Sequence, residues 1–307
     1  MRINRNLLTL GTKALVESLD LSAMKYVMRE IISNYNIHER TGIPESMAIT
    51  KLQAARQIIE DINSENLFPQ LVTLLMEIHE HGHMGRKFRI SYLNEILKDI
   101  YEQGFIYERE HKVFMENPRI RRTKNWGSLQ NNKTYSLSFL KLDIADNSNL
   151  VKNYPSRLID KTYLDFREIV QEAVHKRNGR IWRWEGDGGL IAFHFGNKHL
   201  TATMTAINIL HDLLLYNSLY CKLDVPLGVR LAVHSGNCLY NDNLEDLKNM
   251  EIIKKVVMIE EKSTETNTIT ISSTVKMMLD PIISRLFNPA NSSDQKGYYF
   301  YKLRWVE

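Results

Sequence analysis

The chain contains 307 residues, of which 43% are hydrophobic and 25% charged, and its formal net charge is +4. This composition is typical of a soluble globular protein, and the length allows one large domain or two small ones. No stretch approaches the 18 consecutive apolar residues of a membrane span, the start lacks the apolar segment of a signal peptide, and the two cysteines fit neither a disulfide scaffold nor a zinc site. We therefore expect a cytoplasmic protein with no membrane partner. The basic residues are spread along the chain, so no nucleic-acid partner is expected either.

The first part of the chain has the periodicity of helices. Apolar residues recur there at steps of three and four positions, and glycines follow two of the periodic stretches as stop signals. Residues 1–117 are therefore predicted to form an all-α domain. His79, His81 and His83 stand close together, but Gly82 would break a helix between them, which favours surface histidines over a metal site. The predicted helices cover Ala14–Tyr35, a stretch after Pro44, Leu67–His81 and Ser91–Glu102.

The helical pattern ends in a polar, basic stretch at residues 118–133. Arg119-Ile-Arg-Arg-Thr-Lys-Asn-Trp-Gly carries four positive charges within its first six residues. Such a stretch could contact nucleic acid or an anionic surface, but a solvated linker is the more usual role of a basic segment with glycine and asparagine. We interpret it as the linker between two domains.

From residue 134 onward the period shortens to that of β-strands. Tyr135–Asp143 alternates apolar and polar residues, and the predicted elements that follow are helix, strand, strand, helix and strand. This order predicts a ferredoxin-like split βαβ arrangement, an antiparallel-containing sheet with helices on one face. Residues 134–307 are thus predicted to form an α+β domain. The inner face of its first long helix is predicted to contain Leu164, Ile169, Val170 and Val174.

Two aspartates lie where apolar strands of this predicted sheet end. Asp143 ends the first strand, and Asp187 lies in the glycine-rich turn Gly186-Asp-Gly-Gly of the central hairpin. Because these strands are neighbours in a split βαβ sheet, the carboxylates are expected to meet at one edge. Adjacent carboxylates repel unless divalent cations neutralise them, and a pair of ions is a common device for displacement at phosphorus. Alternatively, Asp143 caps a turn and Asp187 only occupies a tight hairpin.

Four stretches, taken in order, resemble the class III adenylate and guanylate cyclases. They are Phe139-Leu-Lys-Leu-Asp-Ile, Glu185-Gly-Asp-Gly-Gly-Leu-Ile-Ala-Phe, Leu227-Gly-Val-Arg-Leu-Ala-Val-His-Ser-Gly and Tyr299-Phe-Tyr-Lys-Leu. The separation of the two aspartates, 187 − 143 = 44 positions, also resembles that family. The resemblance implies a nucleotide cyclase, which converts a nucleoside triphosphate into a 3′,5′-cyclic monophosphate. It further implies that Asp143, Asp187 and the backbone of Ile144 hold two divalent ions, Mn²⁺ or Mg²⁺, and that Gly186 lets the backbone approach the substrate.

The resemblance also implies a homodimer whose active sites are shared between the subunits. One subunit would supply both metal aspartates, and the other would supply the base-reading residue and the groups that steady the ribose and the transition state. Here the sequence departs from the family pattern. The family's Gly-Phe-Thr is replaced by Asp146-Asn147-Ser148, and its later Asn and Arg fall on Met258 and Lys262. Lys262 would keep a positive charge for the phosphates, unless it is simply a solvated lysine.

The base-reading position of the family, four residues before the second metal aspartate, is Arg183 here. Adenylate cyclases typically have Lys there, and guanylate cyclases Glu. Arginine only donates hydrogen bonds, which suits a keto oxygen of uracil or guanine, and Trp182 and Trp184 beside it in the sequence would leave a small pocket. These features resemble the pyrimidine cyclases of bacterial Pycsar antiphage systems, whose product activates a separate effector. The resemblance points to UTP as the substrate and cyclic UMP as the product.

Other interpretations stay open at this point. Arg183 would instead be an exposed strand arginine, or it would replace the family's lysine as a donor to adenine in an enzyme that uses ATP. In a different class of function, the chain would be a catalytically inactive nucleotide sensor or dimerisation module. The missing family asparagine at Met258 favours that interpretation, whereas the presence of both metal aspartates argues against it.

Overall fold

The computed structural model describes residues 1–83, 85–243, 246, 248–290 and 296–303. The chain divides into two compact units, Met1–Ser128 and Leu129–Glu307. The division lies inside the predicted linker, so residues 118–128 pack with the first unit and residues 129–133 with the second. That the two units are separate functional domains stays a prediction. Along the described ranges, no helix is both long enough and apolar enough to cross a membrane.

The first unit is built mainly of helices whose apolar stripes pack on one another. Residues that the periodicity marks as inward, such as Leu15, Val27 and Ile58, are buried in one core. The unit ends in an antiparallel hairpin, which the prediction of an all-α domain did not include. Each strand of this hairpin has only four residues, too few to show a two-residue period against the helical background. The elements are α1 Arg5–Ser18, α2 Leu21–Ile31, α3 Ile37–Thr41, α4 Lys51–Ser64, α5 Phe68–His81, α6 Leu93–Glu102, β1 Phe105–Glu108 and β2 Val113–Glu116.

The second unit mixes strands and helices. Its elements are β3 Thr134–Ile144, α7 Asn147–Asn153, α8 Ser156–Lys176, β4 Arg180–Glu185, β5 Gly188–Phe193, α9 Lys198–Leu219, β6 Val229–Leu239, α10 Glu251–Ser263, β7 Thr268–Ser272, α11 Ser273–Met278, α12 Pro281–Ser284, β8 Asn288–Pro289 and β9 Tyr298–Lys302. Among the described residues, seven of these strands form one sheet in the order β4-β5-β3-β6-β7-β9-β8. β5 lies between β3 and β4, and β3 lies between β5 and β6. This order confirms the predicted α+β fold with a split βαβ arrangement.

Helices cover both faces of this sheet. α8 and α9 pack on one face, where Leu142 and Val233 belong to a continuous apolar core. α10 packs against β3 and β6 on the opposite face, which the prediction of helices on one face did not include. The reason is that α10 has a buried apolar stripe of its own, formed by Ile252, Val256 and Ile259, which needs a sheet surface to cover it.

The buried face of α8 differs from the predicted one. Ile159, Phe166, Val170 and Val174 are buried, whereas Leu164 is 61% exposed. These buried residues follow steps of seven and four positions, and Leu164 falls outside that stripe. The prediction that Leu164 lies on the inner face was therefore wrong.

Candidate active site

β3 carries Lys141 and Asp143 on the sheet face opposite the apolar core. Side chains alternate along a strand, so the leucines that flank Lys141 enter the core beneath α8 and α9, and the two charged residues lie on the side of α10. Asp143 pairs with Gly188 of β5 on one side and with Arg230 of β6 on the other. The first predicted metal ligand is thus at the end of a central strand.

Asp187 lies in the turn between β4 and β5, beside the end of β3. The backbone N–H of Ile144 donates a hydrogen bond of 3.2 Å to the carbonyl oxygen of Asp187, which joins this turn to the residue after Asp143. Gly186 has a φ of +52°, a conformation that glycine adopts without strain. A Cβ at Gly188 would lie 2.5 Å from Oδ1 of Asp143, so glycine leaves the space that this carboxylate needs. The structure therefore brings Asp143, Ile144, Gly186 and Asp187 together, while their roles stay predictions.

Four charged side chains surround the end of β3, and we call Lys141, Asp143, Arg230 and Glu260 the charge network. Nη2 of Arg230 lies 3.0 Å from Oδ2 of Asp143, and Nε of Arg230 donates to Oε1 of Glu260 at 2.7 Å. Nζ of Lys141 lies 3.9 Å from Oδ1 of Asp143 and 3.7 Å from Oε2 of Glu260. Two cations are therefore placed between two carboxylates.

The surroundings of the charge network shift its pKa values. Burial raises the pKa of Asp143, and Asp187 raises it further, although Lys141 and Arg230 oppose the rise. Burial likewise raises the pKa of Glu260. Burial works against the charged form of Arg230, but Glu260 and Asp143 together raise the pKa of its guanidinium. The site thus disfavours the ionised form of Asp143 unless positive groups lie beside its carboxylate.

The loop after Asp143 is held by a contact with α8. Asp146 has a φ of +56°, in the left-handed region that glycine reaches without strain. Asn147, the next residue, accepts a hydrogen bond from the hydroxyl of Tyr163 on α8. Burial and the negative charge of Asp187 raise the pKa of Tyr163. A tyrosine on α8 therefore holds this loop.

Arg183 lies on the same sheet face as the charge network, but two strands away. It pairs with Leu190 of β5, which in turn pairs with Lys141 of β3. Neighbouring strands are about 4.8 Å apart, so Arg183 and Lys141 are separated by about 10 Å along this row. Its guanidinium forms an ion pair with Glu185 on the same strand. The predicted base reader is thus near the aspartates without touching them.

The two tryptophans beside Arg183 lie on opposite faces of the sheet. Trp182 is buried with its ring edge against Phe139, at a centroid distance of 5.2 Å. Trp184 packs on the α8 side of the sheet, where it lines a shallow cleft with Tyr163 and Arg167. Strand alternation turns Trp184 to the sheet face opposite Arg183, whereas Trp182, at the bulge between residues 181 and 183, contacts Phe139 on the same face as Arg183. The small pocket expected around Arg183 stays a prediction.

Lys262 is exposed in the last turn of α10, and among the described residues it forms no ion pair with Asp143. Met258, one helical turn earlier, is 38% exposed on the same side of the helix. Glu260, between them in sequence, is the residue of α10 that turns inward to Arg230. The role of Lys262 at a metal site stays a prediction.

Three residues of this site were not predicted from the sequence: Lys141, Arg230 and Glu260. For two of them, Lys141 and Glu260, the sequence contained a signal. Lys141 is two positions before Asp143 on a strand, so it must share its face. Glu260 interrupts an otherwise apolar helical stripe, and a carboxylate in such a position needs a charged partner.

The donor set at this end of the sheet fits a divalent cation. The carboxylates of Asp143 and Asp187 and the carbonyl of Ile144 are all oxygen ligands, which suit Mg²⁺ and Mn²⁺. Oδ2 of Asp143 accepts a hydrogen bond from Arg230. Oδ1 lies beside Gly188, where the absence of a side chain leaves it room. A cation there would relieve the repulsion from Asp187 that raises the pKa of Asp143.

A second group of possible metal ligands lies at the β1–β2 turn of the first unit, where Glu108, Glu110 and His111 approach one another. Glu108 accepts hydrogen bonds from the backbone N–H groups of the other two residues, which closes the hairpin. This group has a structural explanation and does not correspond to the predicted site.

Comparisons with known proteins give similarity to solved structures of cyclases. No family model matches the sequence, and no curated protein matches it significantly. The chain is similar to the adenylyl cyclase CyaB from P. aeruginosa, at 13% identity and a TM-score of 0.48 over 57% of this chain and 96% of that chain. It is also similar to an adenylate/guanylate cyclase/hydrolase from Silicibacter pomeroyi, at 17% identity and a TM-score of 0.45 over 56% of this chain and 99% of that one. A third is the guanylyl cyclase domain of the RhoGC fusion protein from the aquatic fungus Blastocladiella emersonii, at 14% identity and a TM-score of 0.45 over 56% and 98%.

Proposed function

We propose that the chain is a nucleotide cyclase, a phosphorus–oxygen lyase that converts a nucleoside triphosphate into a 3′,5′-cyclic monophosphate and pyrophosphate. The observation that carries this proposal is the placement of Asp187 beside the end of β3 through the hydrogen bond from Ile144. Two carboxylates at the end of a sheet are the ligand set expected for two-metal displacement at phosphorus. The four ordered motifs that resemble class III cyclases support the same reaction.

In the proposed reaction, the 3′-oxygen of the ribose attacks the α-phosphorus, its proton is released, and the bond to the departing pyrophosphate breaks. Asp143, Asp187 and the carbonyl of Ile144 would hold two divalent ions, Mn²⁺ or Mg²⁺, which supply charge stabilisation and lower the pKa of the attacking hydroxyl. Gly186 and Gly188 have no side chains, so phosphate oxygens can approach the backbone of the turn.

A homodimer with two shared sites is part of the proposal. One subunit would supply both aspartates of a site. The other subunit would supply Lys262, which would stabilise charge on the phosphates, and Arg183, which would read the base. The exposure of Lys262 and the distance of Arg183 from Asp143 within one chain both support this division of labour. We place the enzyme in the cytoplasm, with no membrane or nucleic-acid partner.

UTP is the substrate that Arg183 favours. Its guanidinium donates hydrogen bonds only, which matches the O4 keto oxygen of uracil. Cyclic UMP would then act as a second messenger that activates a separate effector in antiphage defence. This role rests on the resemblance to Pycsar pyrimidine cyclases.

A second candidate is an adenylate cyclase, and one contact favours it. Arg183 forms an ion pair with Glu185, so a carboxylate acceptor stands next to the donor. A donor and an acceptor side by side would match the ring nitrogen and the exocyclic amine of adenine. Cyclic AMP would then be the product of the same metal site.

The test is a competition among substrates. The purified protein is incubated with equal concentrations of ATP, GTP, CTP and UTP and with Mn²⁺, and the products are identified by mass. A dominant cyclic UMP product would support the proposal in full, whereas dominant cyclic AMP would keep the metal site and overturn the uracil assignment. Arg183→Glu should reduce cyclic UMP more than it reduces Mn²⁺ binding. No cyclic product from a folded dimer would favour the inactive sensor or dimerisation module.

A further inference from the structure

Glu260 is an acid for which the proposed reaction has no role. It is 1% exposed and lies in the apolar stripe of α10, one turn after Val256. The next residue, Glu261, is exposed. A buried carboxylate is costly unless it is paired, so the partners of Glu260 account for its presence in this stripe.

The partners of Glu260 are the same two cations that contact Asp143. Arg230 uses Nε for Glu260 at 2.7 Å and Nη2 for Asp143 at 3.0 Å. Nζ of Lys141 is nearly equidistant from the two acids, at 3.7 Å from Glu260 and 3.9 Å from Asp143. Glu260 therefore shares with Asp143 the positive charge that would otherwise be concentrated on the carboxylate of Asp143.

We propose that Glu260 is a positioning residue that sets the affinity of Asp143 for a divalent cation. Glu260 does not touch the ion. It offsets the charge of Arg230 and Lys141, so a metal ion meets less positive charge at Asp143. The inference rests on the metal site of the proposed function and adds to it a residue of α10 that controls the loading of that site.

The test measures Mn²⁺ binding to the full-length protein without nucleotide, from the loss of the electron paramagnetic resonance signal of free Mn²⁺. In Glu260→Gln, Asp143 is the one acid that remains in the charge network, and the positive charge of Arg230 and Lys141 is concentrated on it. Mn²⁺ should therefore bind at least about tenfold more weakly. Lys141→Met removes a positive charge beside Oδ1 of Asp143, so Mn²⁺ should bind about tenfold more tightly. A merely structural role would not give opposite signs for these two variants.

Two controls fix the interpretation. Glu261→Gln makes the same chemical change one position further along α10, on the exposed side, and should leave Mn²⁺ affinity unchanged. Asp143→Asn removes the ligand itself, so adding Glu260→Gln to that variant should produce no further change in Mn²⁺ binding. Thermal unfolding without metal shows whether Glu260→Gln still folds, and Lys141→Met provides the test if it does not.

The outcomes separate this inference from the proposed function. If Asp143→Asn binds Mn²⁺ as well as the unaltered protein does, then Asp143 is not a metal ligand, and both proposals are overturned. If Asp143→Asn loses binding but Glu260→Gln behaves like Glu261→Gln, the inference about Glu260 fails and the metal site stands. Opposite shifts for Glu260→Gln and Lys141→Met, both dependent on Asp143, would establish it.

Discussion

At the scale of single residues, the site depends on Gly188, which has no side chain. An added Cβ at Gly188 would lie 2.5 Å from Oδ1 of Asp143 and 2.6 Å from the carbonyl oxygen of Leu142. The backbone cannot move far there, because Gly188 lies in the ladder between β4 and β3. The carboxylate of Asp143 would have to turn away from its present position.

Gly188→Ala should therefore weaken Mn²⁺ binding at least about tenfold and lower the free energy of unfolding by about 1–3 kcal/mol. Gly236→Ala is the matched control on β6, since its Cβ would meet only the flexible tip of Ile252, at 3.2 Å. Calorimetric titration with Mn²⁺ and urea unfolding measure the two quantities. Equal effects of the two substitutions would contradict the role assigned to Gly188.

At the scale of elements, a buried histidine joins β6 to the outer part of the sheet. Nδ1 of His234 lies 2.8 Å from Oγ of Ser272 on β7, and His234 is 6% exposed. Burial, with a smaller effect of Lys255, lowers the pKa of His234 from 6.5 to about 4. In the unfolded chain this histidine takes up its proton near its ordinary pKa, whereas in the folded chain it stays neutral to a lower pH.

The sign of the pH effect follows from this difference. The stabilising contribution of neutral His234 is complete above its ordinary pKa of 6.5 and is lost as the pH falls through the interval down to about 4. Between neutral pH and the lower end of that interval, the unaltered protein should lose up to roughly 3 kcal/mol more stability than His234→Gln. His211→Gln, at an exposed site on α9, is the control and should follow the unaltered protein. Urea unfolding at both pH values checks this, and parallel curves for His234→Gln would contradict it.

Sequence periodicity predicts the elements better than it predicts which face of a helix is buried. The alternation before Asp143 and the glycines around Asp187 predict β3 and the β4–β5 hairpin, because strand period and turn residues are local signals. Leu164 was assigned to the wrong face, since burial along α8 depends on the strands that lie beneath it. Glu260 pairs with Lys141, which lies more than a hundred positions earlier. In the sequence, such a long-range pairing is visible only as an acid within an apolar helical stripe.

At the scale of the whole molecule, the proposed site is complete only when two copies of the chain combine. A variant that lacks a metal ligand and a variant that lacks the base reader should then be inactive separately and active together. Mixing Asp187→Ala with Arg183→Ala should restore about a quarter of the unaltered activity, because half of the dimers are mixed and each has one intact site. Cyclic nucleotide formation after subunit exchange measures this. An inactive mixture that contains the mixed dimer would contradict shared sites.

The central claim is that Asp143 and Asp187 support the cyclisation of a nucleoside triphosphate. The most direct measurement is mass spectrometry of the products that the unaltered protein and Asp187→Ala form from the four nucleoside triphosphates with Mn²⁺, together with the pyrophosphate released. We predict one dominant cyclic monophosphate, cyclic UMP, with an equal amount of pyrophosphate, and loss of both products in Asp187→Ala. Equal cyclic nucleotide formation by a folded Asp187→Ala, or none by a folded, dimeric, unaltered protein, would contradict the claim.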